Sequence, residues 1–150
     1  MITFRAASAK DLNDIVQMLA DDELGSTRER YETPLPESYI KAFEAIDADP
    51  NNELIVACLG EEVVGVQQLT FTPYITHQGS WRATIEGVRT AASVRGQGIG
   101  SQLIEWAIER AKERGCRMIQ LTTDKKRTDA LRFYERLGFQ ATHEGLKMKL

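Results

Sequence analysis

Three glycines at alternating positions, in Arg95-Gly96-Gln97-Gly98-Ile99-Gly100-Ser101, follow an extended run and open a helical pattern. A glycine-rich turn at a helix start presents unpaired N–H groups and the positive end of the helix dipole, which suits phosphate. Arg95 adds a fixed positive charge. Spacing excludes two phosphate loops: a dinucleotide fingerprint would need a third glycine where Ser101 or Leu103 stands, and a Walker loop needs a lysine, of which none lies between Lys41 and Lys112. What remains is Arg-x-x-Gly-x-Gly after a strand, read either as an anion loop or as a bare strand-to-helix turn. Elsewhere, Cys58 and Cys116 form no CxxC pair and His77 and His143 no HExxH spacing, so no metal is expected and both thiols read as buried.

The elements around this loop follow from periodicity. Ile2 to Arg5 alternates as a strand, and Ser8-Ala9-Lys10-Asp11 is a capping-box pattern opening a helix with Leu12, Ile15, Val16 and Leu19 on one face. A polar, acidic loop runs from Asp21 to Glu37, with room for a short helical turn. A second helix is expected from about Pro36 to the Asp49-Pro50-Asn51-Asn52 turn. Leu54–Leu59 and Glu62–Phe71 read as a hairpin about Gly60-Glu61. Trp81–Thr90 is a strand whose uninterrupted alternation points Glu86 the same way as Val88. A helix with Ile99, Leu103, Ala107 and Ala111 in one row ends at Gly115, a strand covers Arg117–Thr122, and a helix with Ala130, Phe133, Tyr134 and Leu137 ends at Gly138. Phe139–Thr142 and Leu146–Leu150 read as two closing strands. The order is β-α-α-β-β-β-α-β-α-β-β, an α+β arrangement.

The 150 residues fit one domain, 1–150, able to bury roughly two-thirds of its unfolded surface. Charged residues make up 27% and hydrophobic ones 42%, a soluble globular mixture without a membrane-length apolar run. Met1-Ile2-Thr3-Phe4-Arg5 has no export pattern, so a cytoplasmic location is expected. The net charge of −3 argues against nucleic acid as the main partner.

Val94 to Gly100 resembles the acyl-CoA pyrophosphate loop of the GNAT superfamily of N-acyltransferases. Ala130-Leu131-Arg132-Phe133-Tyr134-Glu135-Arg136-Leu137-Gly138-Phe139 is similar to the Ala-x-x-Phe-Tyr-x-x-x-Gly-Phe signature that closes the same family's core. Together the two motifs cover about Ile85 to Phe139, and the element order of the flanks agrees. The resemblance implies a GNAT fold, a mixed, mostly antiparallel sheet of six to seven strands flanked by about four helices. It implies acetyl-CoA as acyl-donor substrate, with the pyrophosphate on Arg95, Gly96, Gln97, Gly98, Ile99, Gly100 and Ser101. It also implies that the main chains of Val88 and Thr90 pair with the cofactor's amides, with Gly87 marking a bulge or a close backbone approach. Where the family often has Asn, this chain has Arg127, which either salt-bridges a phosphate or does nothing.

Moving an acetyl group from a thioester to an amine requires a base for the amine and an acid for the leaving thiolate. An alkyl amine with a pKa near about 10.4 needs its proton removed at neutral pH, and Glu86 is the best placed base; its alternative role is a strand carboxylate paired with Arg82 or Arg89. Tyr134 resembles the family's general acid, and its alternative role is a core aromatic. The expected function is therefore an N-acetyltransferase acting on the primary amine of a small molecule by direct attack on the thioester; the alternative is an acyl-CoA-binding regulatory or interaction module without turnover. A homodimer is one assembly open to it. Glu29, Glu32 and Glu86 would line the acceptor cleft and favour a cationic amine.

Overall fold

The protein is described here by a computed structural model covering residues 1–150. Five strands, β1 (Ile2–Ala6), β2 (Asn52–Leu59), β3 (Glu62–Pro73), β4 (Trp81–Thr90) and β5 (Cys116–Leu121), form one sheet in that order. The first four are antiparallel neighbours, and β5 joins β4 in parallel. A parallel pair needs a crossover, and the helix between the two strands supplies it. The helices are α1 (Leu12–Ala20), α2 (Gly25–Arg28), α3 (Glu37–Ala48), α4 (Thr76–Gly79), α5 (Ile99–Glu113) and α6 (Ala130–Arg136). Of these, α4 is one turn with His77 and Gln78 in left-handed conformation.

β2 and β3 are buried on both faces because helices cover both. On one face Ile15 and Met18 of α1, joined by Phe43 of α3, pack on Val56, Cys58 and Val66. On the other, Ile99, Leu103, Ile104, Ala107 and Ala111 of α5 are buried against Ala57, Val64, Leu69, Phe71, Ala83 and Ile85. The apolar row read from the sequence of α5 is the row that docks. Gln67, fully buried, donates from Nε2 to the Leu103 carbonyl at 2.9 Å and ties β3 to α5.

The sheet has five strands rather than six to seven, and six helices rather than about four. Phe139–Thr142 and Leu146–Leu150 are not strands. Alternation marks a strand only where one face docks and one edge pairs. Leu146, Met148 and Leu150 find neither, and remain 93%, 84% and fully exposed.

The capping box behind β1 carries a charge. Asp11 accepts from the Ser8 N–H at 2.7 Å and from Arg5 Nη1 and Nη2 at 2.7 and 3.0 Å. The Arg5 hydrogen bond, against the opposing effect of burial and with help from Ser8, lowers the Asp11 pKa to about 2. A carboxylate depressed in the folded state adds stability that is complete above its unfolded value near about 3.9 and disappears as pH falls through about 2. With Arg5 partly exposed and screened, Asp11→Asn costs about 1–2 kcal/mol at pH 7 by urea denaturation, and the difference from the parent closes between about pH 4 and 2.

Candidate active site

β4 and β5 run together only as far as Ile85 and Leu121. Beyond that pair β5 ends, while β4 continues to Thr90 with no neighbour on that side. Glu86 is the first residue past the fork. At Gly87, φ is +61°, and Gly87 and Val88 together oppose the single residue Gln67 of β3. This is a β-bulge, and an extra residue reverses the alternation beyond it. Val88 consequently packs with Ile85 on the α5 side, not on the side of Glu86 as uninterrupted alternation predicts. Glu86 is exposed. Neither neighbouring arginine takes it: Arg82 donates to Gln120 at 3.0 Å and lies over the Tyr74 ring, and Arg89 faces Asp22 at 3.5 Å.

Past Thr90 the chain makes a 3-10 turn, Ala92–Val94, and enters the glycine loop. Gly98 is the N-cap of α5 with φ +79°, and a side chain there would meet no atom of the protein within 4 Å. The N–H groups of Gly96, Gly98, Ile99, Gly100 and Ser101 donate to no backbone carbonyl, while Gln97 N–H reaches Val94 at 3.3 Å. They form an open row of donors at the start of a fifteen-residue helix. The loop's residues divide their work. The Ile99 side chain is buried in the core. Gly100 is a packing contact, since a methyl on it would lie 3.5 Å from Phe133 Cζ. Arg95 is exposed, donating to the Asp21 carbonyl at 3.1 Å with the Asp21 carboxylate 3.7 Å away.

Gly100 and Phe133 thus bring the two sequence motifs into contact. The rings of Phe133, Tyr134 and Phe139 meet edge to face, Tyr134 standing 5.1 Å from Phe133 and 5.9 Å from Phe139. Burial pushes the Tyr134 phenol up from its ordinary pKa, while the positive charges of Arg89 and Arg127 pull against it. Tyr134 therefore lies within electrostatic reach of both arginines.

Arg127 donates from Nη1 to Asp22, joining the loop before α6 to the segment after α1. Within the protein, Arg127 is thus a tie between loops. Asp22 also accepts from the Gly25 N–H. Burial raises its pKa, but the bonds from Arg127 and Gly25 and the charges of Arg89 and Arg127 outweigh this and leave it depressed. The other acids of this loop are occupied as well: Glu29 accepts from the Tyr39 hydroxyl at 2.8 Å, and Glu32 pairs with Arg30 at 2.8 Å. Of the acids expected in the acceptor cleft, Glu29 and Glu32 therefore have partners and Glu86 has none, while the charges acting on Tyr134 are those of Arg89 and Arg127. Sequence reasoning gave Asp22 and Arg28 no individual role and weighed Arg89 only as a partner for Glu86.

A cavity of about 480 Å³ lined by Phe43, Leu54, Trp106 and Arg110 lies elsewhere, where β2 outruns β1. It contains none of the motif residues. No helix is long and apolar enough to cross a membrane.

The fork, the bulge beside it, the donor row at the crossover helix and Tyr134 thus stand close together. Residues 15–139 match the acetyltransferase (GNAT) family, and the chain belongs to it. That family uses acetyl-CoA as donor. Among its relatives, the aminoalkylphosphonate N-acetyltransferase of Salmonella typhimurium is 36% identical over 107 residues, 71% of this chain and 69% of that one. A solved structure described as a transcriptional regulator from Bacillus halodurans C-125 is 70% identical over the whole of both chains, with a TM-score of 0.98. An acetyltransferase from Trypanosoma brucei superposes over both whole chains with a TM-score of 0.80 at 25% identity.

Proposed function

We propose that the chain transfers the acetyl group of acetyl-CoA to the primary amine of a small-molecule acceptor, by direct attack on the thioester. The observation that carries this reading is the fork between β4 and β5, flanked by the open donor row from Gly96 to Ser101 and by Tyr134. The pyrophosphate would lie on the N–H groups of that row beside Arg95 and Gln97. The free edge of β4 at Val88 and Thr90 would pair with the cofactor's amides as an added strand. The amine nitrogen attacks the carbonyl carbon and a C–N bond forms; its proton passes to Glu86, directly or through water. The C–S bond breaks, and the departing thiolate takes the Tyr134 proton.

Residues 1–150 act in this reading as one domain working in the cytoplasm. A small-molecule acceptor is in keeping with the Salmonella relative, which is named for one. The near relative described as a regulator does not make nucleic acid the better partner, because this chain carries a net charge of −3.

The test is release of free thiol from acetyl-CoA across a panel of amines, amino acids, aminoglycosides and peptides. Turnover with an amine is expected. Tight acetyl-CoA binding with no thiol release from any of them would favour the binding module instead. Glu86→Gln is expected to lower kcat roughly 10²–10⁴-fold while acetyl-CoA affinity, read by calorimetry, stays as it was. An unchanged kcat would mean that the amine loses its proton elsewhere.

A further inference from the structure

Arg89 on β4 past the bulge and Arg127 before α6 meet at Asp22, within electrostatic reach of Tyr134, and Arg28 at the end of α2 lies within electrostatic reach of Arg89. Burial, then the positive charges of Arg127 and Arg28, depress the Arg89 guanidinium, with Asp22 as the opposing charge. Around Arg89 one carboxylate, Asp22, which pairs with Arg89 and Arg127, stands against three guanidiniums, a surplus of two positive charges. Its oxygens are already used: one serves Arg127 and Arg89, and the other takes the Gly25 N–H. Arg127 Nη2 is buried with no hydrogen-bond acceptor in the protein, and Arg89 Nε makes no hydrogen bond, having only the Asp22 carboxylate at 3.5 Å. Buried donors without partners are costly and uncommon, and planar guanidinium forks match the oxygens of a phosphorus oxyanion.

We propose that the acceptor is an amine that also carries a phosphonate or phosphate monoester, and that Arg28, Arg89 and Arg127 hold this group while the amine faces the fork at Glu86. The proposal rests on the acetyltransferase reading only for the role of the amine; the anion site stands on the arginines. A dianion matches the surplus charge. The pyrophosphate of acetyl-CoA has its own donor row at the start of α5, so the two anion sites are separable by experiment.

The test is calorimetry on protein saturated with CoA, titrated with 2-aminoethylphosphonate, O-phosphoethanolamine, β-alanine and ethanolamine. One or both phosphorus compounds are expected to bind roughly 10–100-fold more tightly than ethanolamine, as charge-assisted hydrogen bonds imply, and which of the two leads identifies the ester or the phosphonate. Arg28→Gln removes an exposed side chain from the end of α2 and is expected to weaken the phosphorus compounds roughly 10-fold or more, with CoA affinity and ethanolamine binding unchanged. Arg89→Lys keeps the charge and loses the fork, and is expected to recover only part of the affinity. Equal binding of ethanolamine, or of β-alanine, would overturn the proposal, as would an Arg28→Gln effect confined to CoA. If the phosphonate binds in this pattern but no amine releases thiol, the acetyltransferase reading fails and the anion site stands. Turnover of uncharged amines alone would give the reverse.

Discussion

Replacing Tyr134 with phenylalanine lowers kcat by roughly 10²–10⁴-fold, the usual size of a proton-transfer contribution, and leaves acetyl-CoA affinity almost unchanged. The split follows from what the residue touches. Phenylalanine retains the edge-to-face contacts with Phe133 and Phe139 and the backbone that caps α6, so the fold and the cofactor surface persist. Only the O–H is lost. Burial raises the phenol's pKa, so it is protonated through the neutral range and available to a thiolate whose conjugate acid has a pKa near about 8.5. Transfer is therefore uphill, though modestly, and the positive charges of Arg89 and Arg127 ease it by stabilising the phenolate. Steady-state kinetics with the best amine of the panel, paired with calorimetry of acetyl-CoA, reads both halves of the expectation. Parent-like kcat would return Tyr134 to the aromatic core.

Gly98→Val weakens acetyl-CoA binding by roughly 100-fold or more, the loss expected when about two charge-assisted hydrogen bonds from the donor row are removed. No protein atom beyond the chain neighbours lies within 4 Å of where its Cβ would sit, so the steric cost falls mainly on a ligand approaching the loop. The conformational cost falls on the chain: at φ +79° a β-branched residue is strained by about 1–2 kcal/mol, enough to lower Tm but not to unfold a domain whose core lies elsewhere. Circular dichroism separates the two effects. A folded Gly98→Val protein that binds acetyl-CoA like the parent removes the pyrophosphate from this loop.

Local patterns were the legible part of the chain. Periodicity in Ile99 to Ala111, the hairpin about Gly60, the caps at Ser8 and the two motifs each depend on residues a few positions apart, and each stands in the structure where its spacing placed it. The misread parts depend on distant partners. Leu146 to Leu150 alternates like a strand, but a strand exists only with a pairing edge, which no stretch of five residues can reveal. The direction of Val88 required knowing that Gly87 forms a bulge against Gln67. That Asp22, among the acids after α1, is taken up by Arg89 and Arg127 could not be read there, because both arginines come from elsewhere in the chain.

The bond between Asp22 and Arg127 spans 105 positions, whereas Arg5 and Asp11 are six apart. Contacts of such reach bring no gain until a large loop has closed, and loop closure is a cost carried before the reward. The sheet and its crossover helix can organise through nearer neighbours, so the arginine cluster is expected among the last parts of the molecule to come together. Substitutions confined to it fall after the folding barrier, where they hasten unfolding and leave the rate of folding nearly untouched. The surface facing the acceptor can therefore change during evolution without altering the route by which the chain reaches its fold.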